Sequence, residues 1–387
     1  MRMSYKALQM TALAFASAGR HKKTGCEHDI LMPKNTMKTL AACVVACVLV
    51  TLAYPASGQA ARPRPATAHE VLALYYPWYG SPERRGHPVH WGKIDTDKRT
   101  ISNCAHYPAQ GAYDSMDPAL IDRQIALAQS NGITGFIASW WGQGKYEDKA
   151  LPILLERAAK RSFKISICWE KASGEGRAQI DQAISDLVYV LTRYGTNETF
   201  LKVSGKPVVF VYERVMKAVP LASWPAILNA TRAKAGPLLL IADGYRETYA
   251  TSFAGLHRYN ISGGIKGKSQ PELRAWAEQY YPWAVQFARK YNLLSCVTVI
   301  PGYDDTKVRK PGRNVDRWDG QLYGMLWEQA IKSAPDWVLI TSWNEWHEGT
   351  EIEPSVESGD KYIKITSEYS RRFLSSRPVG TSTPASP

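Results

Sequence analysis

The chain has 387 residues, 45% of them apolar and 21% charged, a composition that excludes a disordered or collagen-like protein and suits one large globular domain. Of the formal net charge of +13, residues 1–60 carry +5; the remaining +8 is scattered along predicted helices and forms no basic block interleaved with aromatics, so no nucleic-acid partner is expected. The Cys104, Cys168 and Cys296 spacing is too wide for a disulfide framework or a zinc pattern, and all three are expected to be buried thiols.

Residues 1–36 fit no targeting pattern and are set aside as an upstream segment. The stretch "MKTLAACVVACVLVTLAYPASGQA", residues 37–60, reads as a signal peptide: a short positive start, an apolar run from Leu40 to Ala53 and a small-residue exit near Ala60. That apolar run is shorter than the roughly 20 residues a spanning helix needs. A secreted or periplasmic protein is therefore expected, with no stable membrane insertion after cleavage. Residues 61–69, Pro- and Ala-rich, form a linker; the fold is expected over 70–377, and residues 378–387 read as a loose tail.

Within the fold, short apolar runs alternate with longer amphipathic ones. The runs are "VLALYYPW" (71–78), "GITGFIASWW" (132–141), "FKISICWE" (163–170), "PVVFVYE" (207–213), "LLLIADG" (238–244), a weak one in "GLHRYNISGGI" (255–265), "LSCVTVIPGY" (294–303) and "WVLITSWNE" (337–345). Continuous apolar character marks strands covered on both faces. Helical patterns lie between most of them, at about 117–132, 147–161, 177–194, 222–235, 271–291, 318–333 and 359–375. The first is the clearest: Asp117 caps, Pro118 takes the first helical position, and Leu120, Ile121, Ile125 and Ala128 recur at helical spacing. The pattern predicts an α/β protein, a single (β/α)8 TIM barrel.

Such barrels carry their chemistry at the C-terminal strand ends. Here those ends hold Tyr76 and Trp78, Trp140 and Trp141, Glu170, Tyr212, Tyr303, and the run Asn344 to Glu348. The aromatic set, 13 Trp and 21 Tyr against 8 Phe, favours rings with a polar handle, which stack on sugars while hydrogen-bonding. Glu345 and Glu348 sit three apart beside two tryptophans, an arrangement that costs free energy unless it serves chemistry. For both to face the mouth the strand must stop near Glu345 and bend, with Gly349 available to help. Two carboxylates at one mouth are the apparatus of glycoside hydrolysis. "HEGTE" lacks the second histidine of a zinc helix, so no metal site is expected.

The stretch "ITSWNEWHEGTEIEP" (340–354) resembles the signature of glycoside hydrolase family 99, the endo-α-mannosidases and endo-α-1,2-mannanases. "YYPWYGSP" with "HPVHW", "YPAQGAYDSMDPALIDRQIALAQSNGITGFIASWWG", "KPVVFVY" and "PGYDDTKVR" with "DGQLYGMLW" agree in order, so the resemblance spans about Leu74 to Tyr369. It implies a (β/α)8 barrel without cofactor that hydrolyses α-mannan or mannose-containing oligosaccharides internally and with retention. Glu348 matches the family's general acid/base. Glu345 matches the carboxylate that deprotonates the substrate's own 2-hydroxyl, giving a 1,2-anhydro sugar. Glu170 matches a further substrate-contacting carboxylate, with Tyr76, Trp78, Trp91, Trp140, Trp141, Tyr212, Tyr303, Asn344 and His347 expected around the sugar. The chain departs from the family in "CWEKASG" (168–174), in Trp343 for a common Phe and in Glu351 for Gln. A monomer is expected. The alternatives are a related barrel acting on another surface polysaccharide and a binding protein that has lost turnover.

Overall fold

The computed structural model describes residues 64–376; the upstream segment, the proposed signal peptide, the first three linker residues and the tail lie outside them. Eight parallel strands form the sheet: β1 Glu70–Tyr75, β2 Gly135–Trp140, β3 Lys164–Trp169, β4 Lys206–Val211, β5 Leu239–Asp243, β6 Gly255–His257, β7 Leu294–Val299 and β8 Trp337–Ile340. Each pairs with its neighbours in sequence, and β8 closes on β1 with Leu72 opposite Leu339. The expected barrel is present. Around it lie α1 Pro118–Ser130, α2 Tyr146–Ala159, α3 Gly176–Val190, α4 Trp224–Ala235, α5 Gln270–Lys290, α6 Gln321–Lys332 and α7 Lys361–Ser375. Between β5 and β6 the chain has room only for a 3-10 turn, Glu247–Thr251.

Local chemistry explains these elements. The Asp117 carboxylate accepts from the Ala119 amide at 2.9 Å, Pro118 sets the first turn of α1, and Leu120, Ile121, Ile125 and Ala128 are buried against the barrel. Each such Leu or Ile contributes roughly 1.5–3 kcal/mol by leaving water. Ser269 and Glu272 form a capping box that starts α5.

Side-chain alternation divides the strands between two apolar layers. Leu72, Leu74, Ile137, Cys168, Phe210, Ile241 and Leu339 fill the barrel. Val71, Ala73, Phe136, Trp140, Ile167, Trp169 and Val211 face the helices. Cys104, Cys168 and Cys296 are buried, and none is in a disulfide among the described residues. Among the described residues no helix is long and apolar enough to cross a membrane.

Four strands stop well short of the sequence expectation: β1 at Tyr75 rather than Trp78, β7 at Val299 rather than Tyr303, and β8 and β6 by the most. β8 stops at Ile340 rather than near Glu345, because the chain curls back on itself from Ser342: Ile352 donates to the Ser342 carbonyl at 3.0 Å and Glu353 to that of Trp343 at 2.9 Å. β6 stops at His257, which places Arg258 and Tyr259 at the mouth instead of inside a strand running to 265.

Candidate active site

The loop after β8 is held by its apolar and amide side chains so that its acids face outward. Trp343 packs into the barrel–helix layer against Phe136, with ring centroids 5.2 Å apart. Trp346 is buried on the other side, its indole donating to Tyr113 Oη at 3.0 Å while its amide donates to Tyr79 Oη at 3.1 Å. Asn344 clamps the end of β1, accepting from the Tyr76 amide at 2.7 Å and donating to the Tyr76 carbonyl at 3.2 Å. Ser342 Oγ accepts from the Glu345 amide at 2.7 Å. Gly349 turns the chain with φ +56°, and an added Cβ there would sit 3.1 Å from the Asp304 backbone. The two tryptophans are therefore anchors, and Glu345 and Glu348 project into an open cleft of about 730 Å³.

The two carboxyls have different partners. Glu348 Oε2 accepts from Tyr259 Oη at 2.9 Å, and its Oε1 accepts from both Arg309 Nη atoms at 3.1 Å. Glu345 Oε1 accepts from the His347 amide at 3.2 Å and lies 3.4 Å from His347 Nδ1. Among the described residues Glu345 Oε2 has no hydrogen-bond partner. Burial pushes the Glu345 carboxyl up to about 7, with the Glu348 charge adding to the rise and His347 opposing it. His347 Nε2 lies 2.8 Å from the His90 carbonyl. A carbonyl only accepts, so Nε2 carries hydrogen, and a neutral imidazole then turns its Nδ1 lone pair toward Glu345. Glu345 and His347 thus share one proton between them. Burial disfavours the imidazolium, yet Glu345 holds the His347 pKa above its ordinary value.

Glu170 accepts from Ser139 Oγ at 3.0 Å, and burial raises its carboxyl to about 8. Tyr76 Oη donates to Tyr259 Oη at 2.8 Å, which extends the chain of hydroxyls leading to Glu348. Trp78 stacks on His90 with centroids 4.6 Å apart and lies 6.3 Å from Trp141. The Arg214 guanidinium covers Trp141 at 4.7 Å from its ring centre.

Of the residues the sequence pointed to, Glu345, Glu348, Tyr76, Trp78, Trp141, Glu170, Tyr212 and His347 meet in this cleft. Four do not reach it. Trp140 alternates outward from β2 into the helix layer and donates to Asp148 at 2.8 Å. Trp91 is buried, stacked on Tyr79 at 3.9 Å and bonded to the Tyr113 carbonyl. Asn344 is fully buried as the clamp described above. Tyr303 is buried too and touches Arg309, which in turn reaches Glu348. Glu351, the departure from Gln, is also removed from the cleft: its Oε1 meets Arg317 and His106 in a buried ion pair. The expectation missed Tyr259, Arg309, Arg214 and His90. Tyr259 was hidden by the overlong sixth strand, and the arginines by the absence of any pattern that separates a cleft arginine from a surface one.

A closed barrel that gathers four carboxyls, a hydroxyl chain and two indole rings at the C-terminal ends of its strands defines a glycoside hydrolase. The model of glycosyl hydrolase family 99 matches residues 67–371, and the chain belongs to that family. A glycoprotein endo-alpha-1,2-mannosidase-like protein of Danio rerio is 25% identical, over 79% of this chain and 78% of the relative. The glycoprotein endo-alpha-1,2-mannosidase of Mus musculus is 25% identical, over 79% of this chain and 75% of the relative. The solved structure of the GH99 endo-alpha-mannosidase from Bacteroides thetaiotaomicron superposes with a TM-score of 0.65 at 26% identity, covering 80% of this chain and 99% of that one.

Proposed function

We propose that this enzyme is a secreted, endo-acting α-mannoside hydrolase that works with retention through a 1,2-anhydro sugar. The observation that carries the mechanism is the asymmetry of the pair: Glu345 has a spare oxygen and a pKa near neutrality, whereas Glu348 is held between Tyr259 and Arg309. The names of the relatives supply the mannoside. In an α-mannoside the 2-hydroxyl lies trans to the leaving group, so it can attack the anomeric carbon from behind.

Glu345 Oε2 takes the 2-hydroxyl proton as that oxygen bonds to C1. The bond from C1 to the glycosidic oxygen breaks, and Glu348 protonates the departing oxygen. In the second step Glu348 deprotonates water, whose oxygen attacks C1. The C1–O2 bond opens, and O2 recovers a proton from Glu345. Two inversions give net retention, and no enzyme–sugar bond forms. His347 suits this cycle because a proton arriving on Glu345 can pass to Nδ1 and return.

The test is product analysis of the purified protein from Ala61 onward on oligomannosides with 1,2-, 1,3- and 1,6-linked internal α-bonds, with Glu345→Gln and Glu348→Gln as controls. Internal cleavage giving the α-anomer first, abolished by either substitution, is expected. Release of terminal mannose only, or near-wild-type turnover in either variant, overturns the proposal.

A further inference from the structure

Opposite walls of the cleft differ in charge. In an eight-strand ring β4 stands across from β8, so the wall built by β2, β3 and β4 faces the wall that carries Glu348 and Arg309. The first wall presents Lys145, Lys171 and Arg214. Arg309, across the cleft, is neutralised by Asp305 and Glu348. The three cations of the first wall have no carboxylate within ion-pair distance among the described residues, and the one hydrogen bond of Arg214 among them is a 3.5 Å contact with the Glu170 carbonyl.

Two acids share that wall, Glu147 and Glu170. Both are buried, and burial holds both above their ordinary values, Glu170 at about 8. Near neutral pH Glu170 is therefore mostly protonated and offsets little of the Arg214 charge. Arg214 is fixed by stacking on Trp141 and Tyr212, at 4.7 and 5.3 Å from their ring centres. Lys145 starts α2 and Lys171 follows Glu170 directly, so backbone geometry ties both to the site. A neutral oligomannoside needs hydroxyl partners and stacking surfaces. It has no use for three unneutralised cations along one side of its path.

Resting on the α-mannoside reading, we infer that the natural substrate is an α-mannoside glycan carrying an anionic substituent, a phosphate ester or a uronate carboxylate, held against Lys145, Lys171 and Arg214. The charge acts by raising the local concentration of the anionic chain and orienting it along the wall, and salt screens it.

The experiment compares kcat/KM on three matched oligosaccharides: neutral, bearing one mannose 6-phosphate, and bearing one glucuronate. Each is measured at 20 and 500 mM NaCl with the wild type and with Lys145→Gln/Lys171→Gln. At low salt one of the charged substrates is expected to be favoured by about tenfold or more, and the preference should fall several-fold at high salt. It should also fall several-fold in the double variant, whose melting temperature checks the fold. Preference for the phosphate or for the glucuronate identifies the anion, and either supports the inference. Cleavage of the neutral substrate as fast as both charged ones overturns the inference and leaves the mannosidase reading intact. Cleavage of none of the three overturns the mannosidase reading and the inference with it.

Discussion

The proton shared by Glu345 and His347 gives a prediction whose size follows from the geometry. In His347→Gln the side-chain amide keeps a donor for the His90 carbonyl but brings no titratable nitrogen to Glu345. At 3.4 Å between Nδ1 and Oε1, a full charge pair at an effective dielectric of about 20 is worth at most about 5 kcal/mol, or about 3.5 pH units. A proton that is shared realises only part of this, and a third of the bound already amounts to about one unit. The sign is fixed: losing the partner leaves burial and the Glu348 charge acting on Glu345, so its pKa rises from about 7. Glu345 works as a base, so the ascending limb of kcat/KM against pH should move upward by about one unit or more. At pH 7 the ionised fraction drops from about half to about a tenth, and the rate should recover by about pH 9. The assay is kcat/KM on an α-mannooligosaccharide from pH 5 to 9.5, with circular dichroism to verify folding. A limb that stays in place while the rate falls equally at every pH would refute the shared proton and leave His347 a packing role.

Tyr259→Phe removes the hydroxyl that donates to Glu348 at 2.9 Å; a hydrogen bond to a charged group is worth about 1.5–3 kcal/mol, so steady-state kinetics should show a loss of about tenfold to a hundredfold in kcat/KM, and an unchanged value would remove Tyr259 from the mechanism. Glu170 has its folded pKa raised to about 8 from 4.5, so the stability linked to it is present below pH 4.5 and lost as pH climbs through 8. Glu170→Gln should therefore melt near wild type at pH 5 and gain on it by up to the order of 4 kcal/mol at pH 8, and a constant difference between the two pH values would count against the burial argument. Trp140→Phe loses a bond to Asp148 and buried volume, which should lower stability by about 2 kcal/mol while kcat/KM of the folded enzyme stays within about twofold. Trp141→Ala should instead raise KM several-fold with little change in melting, and a reversed pattern in the two tryptophan variants would exchange their places.

The barrel was legible because its signal is redundant. Eight apolar runs, each continuous because helices or barrel interior cover both faces, leave few other closures once helical patterns separate most of them. The strand ends displaced furthest, those of β6 and β8, are where local composition is ambiguous. In "GLHRYNISGGI" only Gly255–His257 pairs, and the sequence shows no breaker until the glycines at 263 and 264. In "WVLITSWNE" the apolar character of Trp343 reads as more strand, although the ring belongs to a returning loop anchored in the outer layer.

The candidate site was legible only as far as residue type carries chemistry. A carboxyl at a strand end is costly without a purpose, so Glu345 and Glu348 could be named from their position and type, and Glu170 from its position together with the family resemblance. A tryptophan is favourable either in a core or against a sugar, and type cannot separate the two uses. Alternation can: Ile137 and Ser139 point into the barrel, which sends Trp141 to the mouth and Trp140 to the helices. The same parity counted up β1 from Leu72 and Leu74 selects Tyr76, and counted up β4 from Val208 and Phe210 it selects Tyr212. Parity does not extend past the strands, which is why Trp91, Asn344 and Tyr303 were expected at the sugar although none of them lines the cleft. Trp91 braces Tyr79, Asn344 holds the end of β1, and Tyr303 steadies the Arg309 that grips Glu348. Acids can sit among tryptophans here because Trp343 and Trp346 are buried in opposite layers, and that anchorage holds Glu345 and Glu348 at the wall of the cleft.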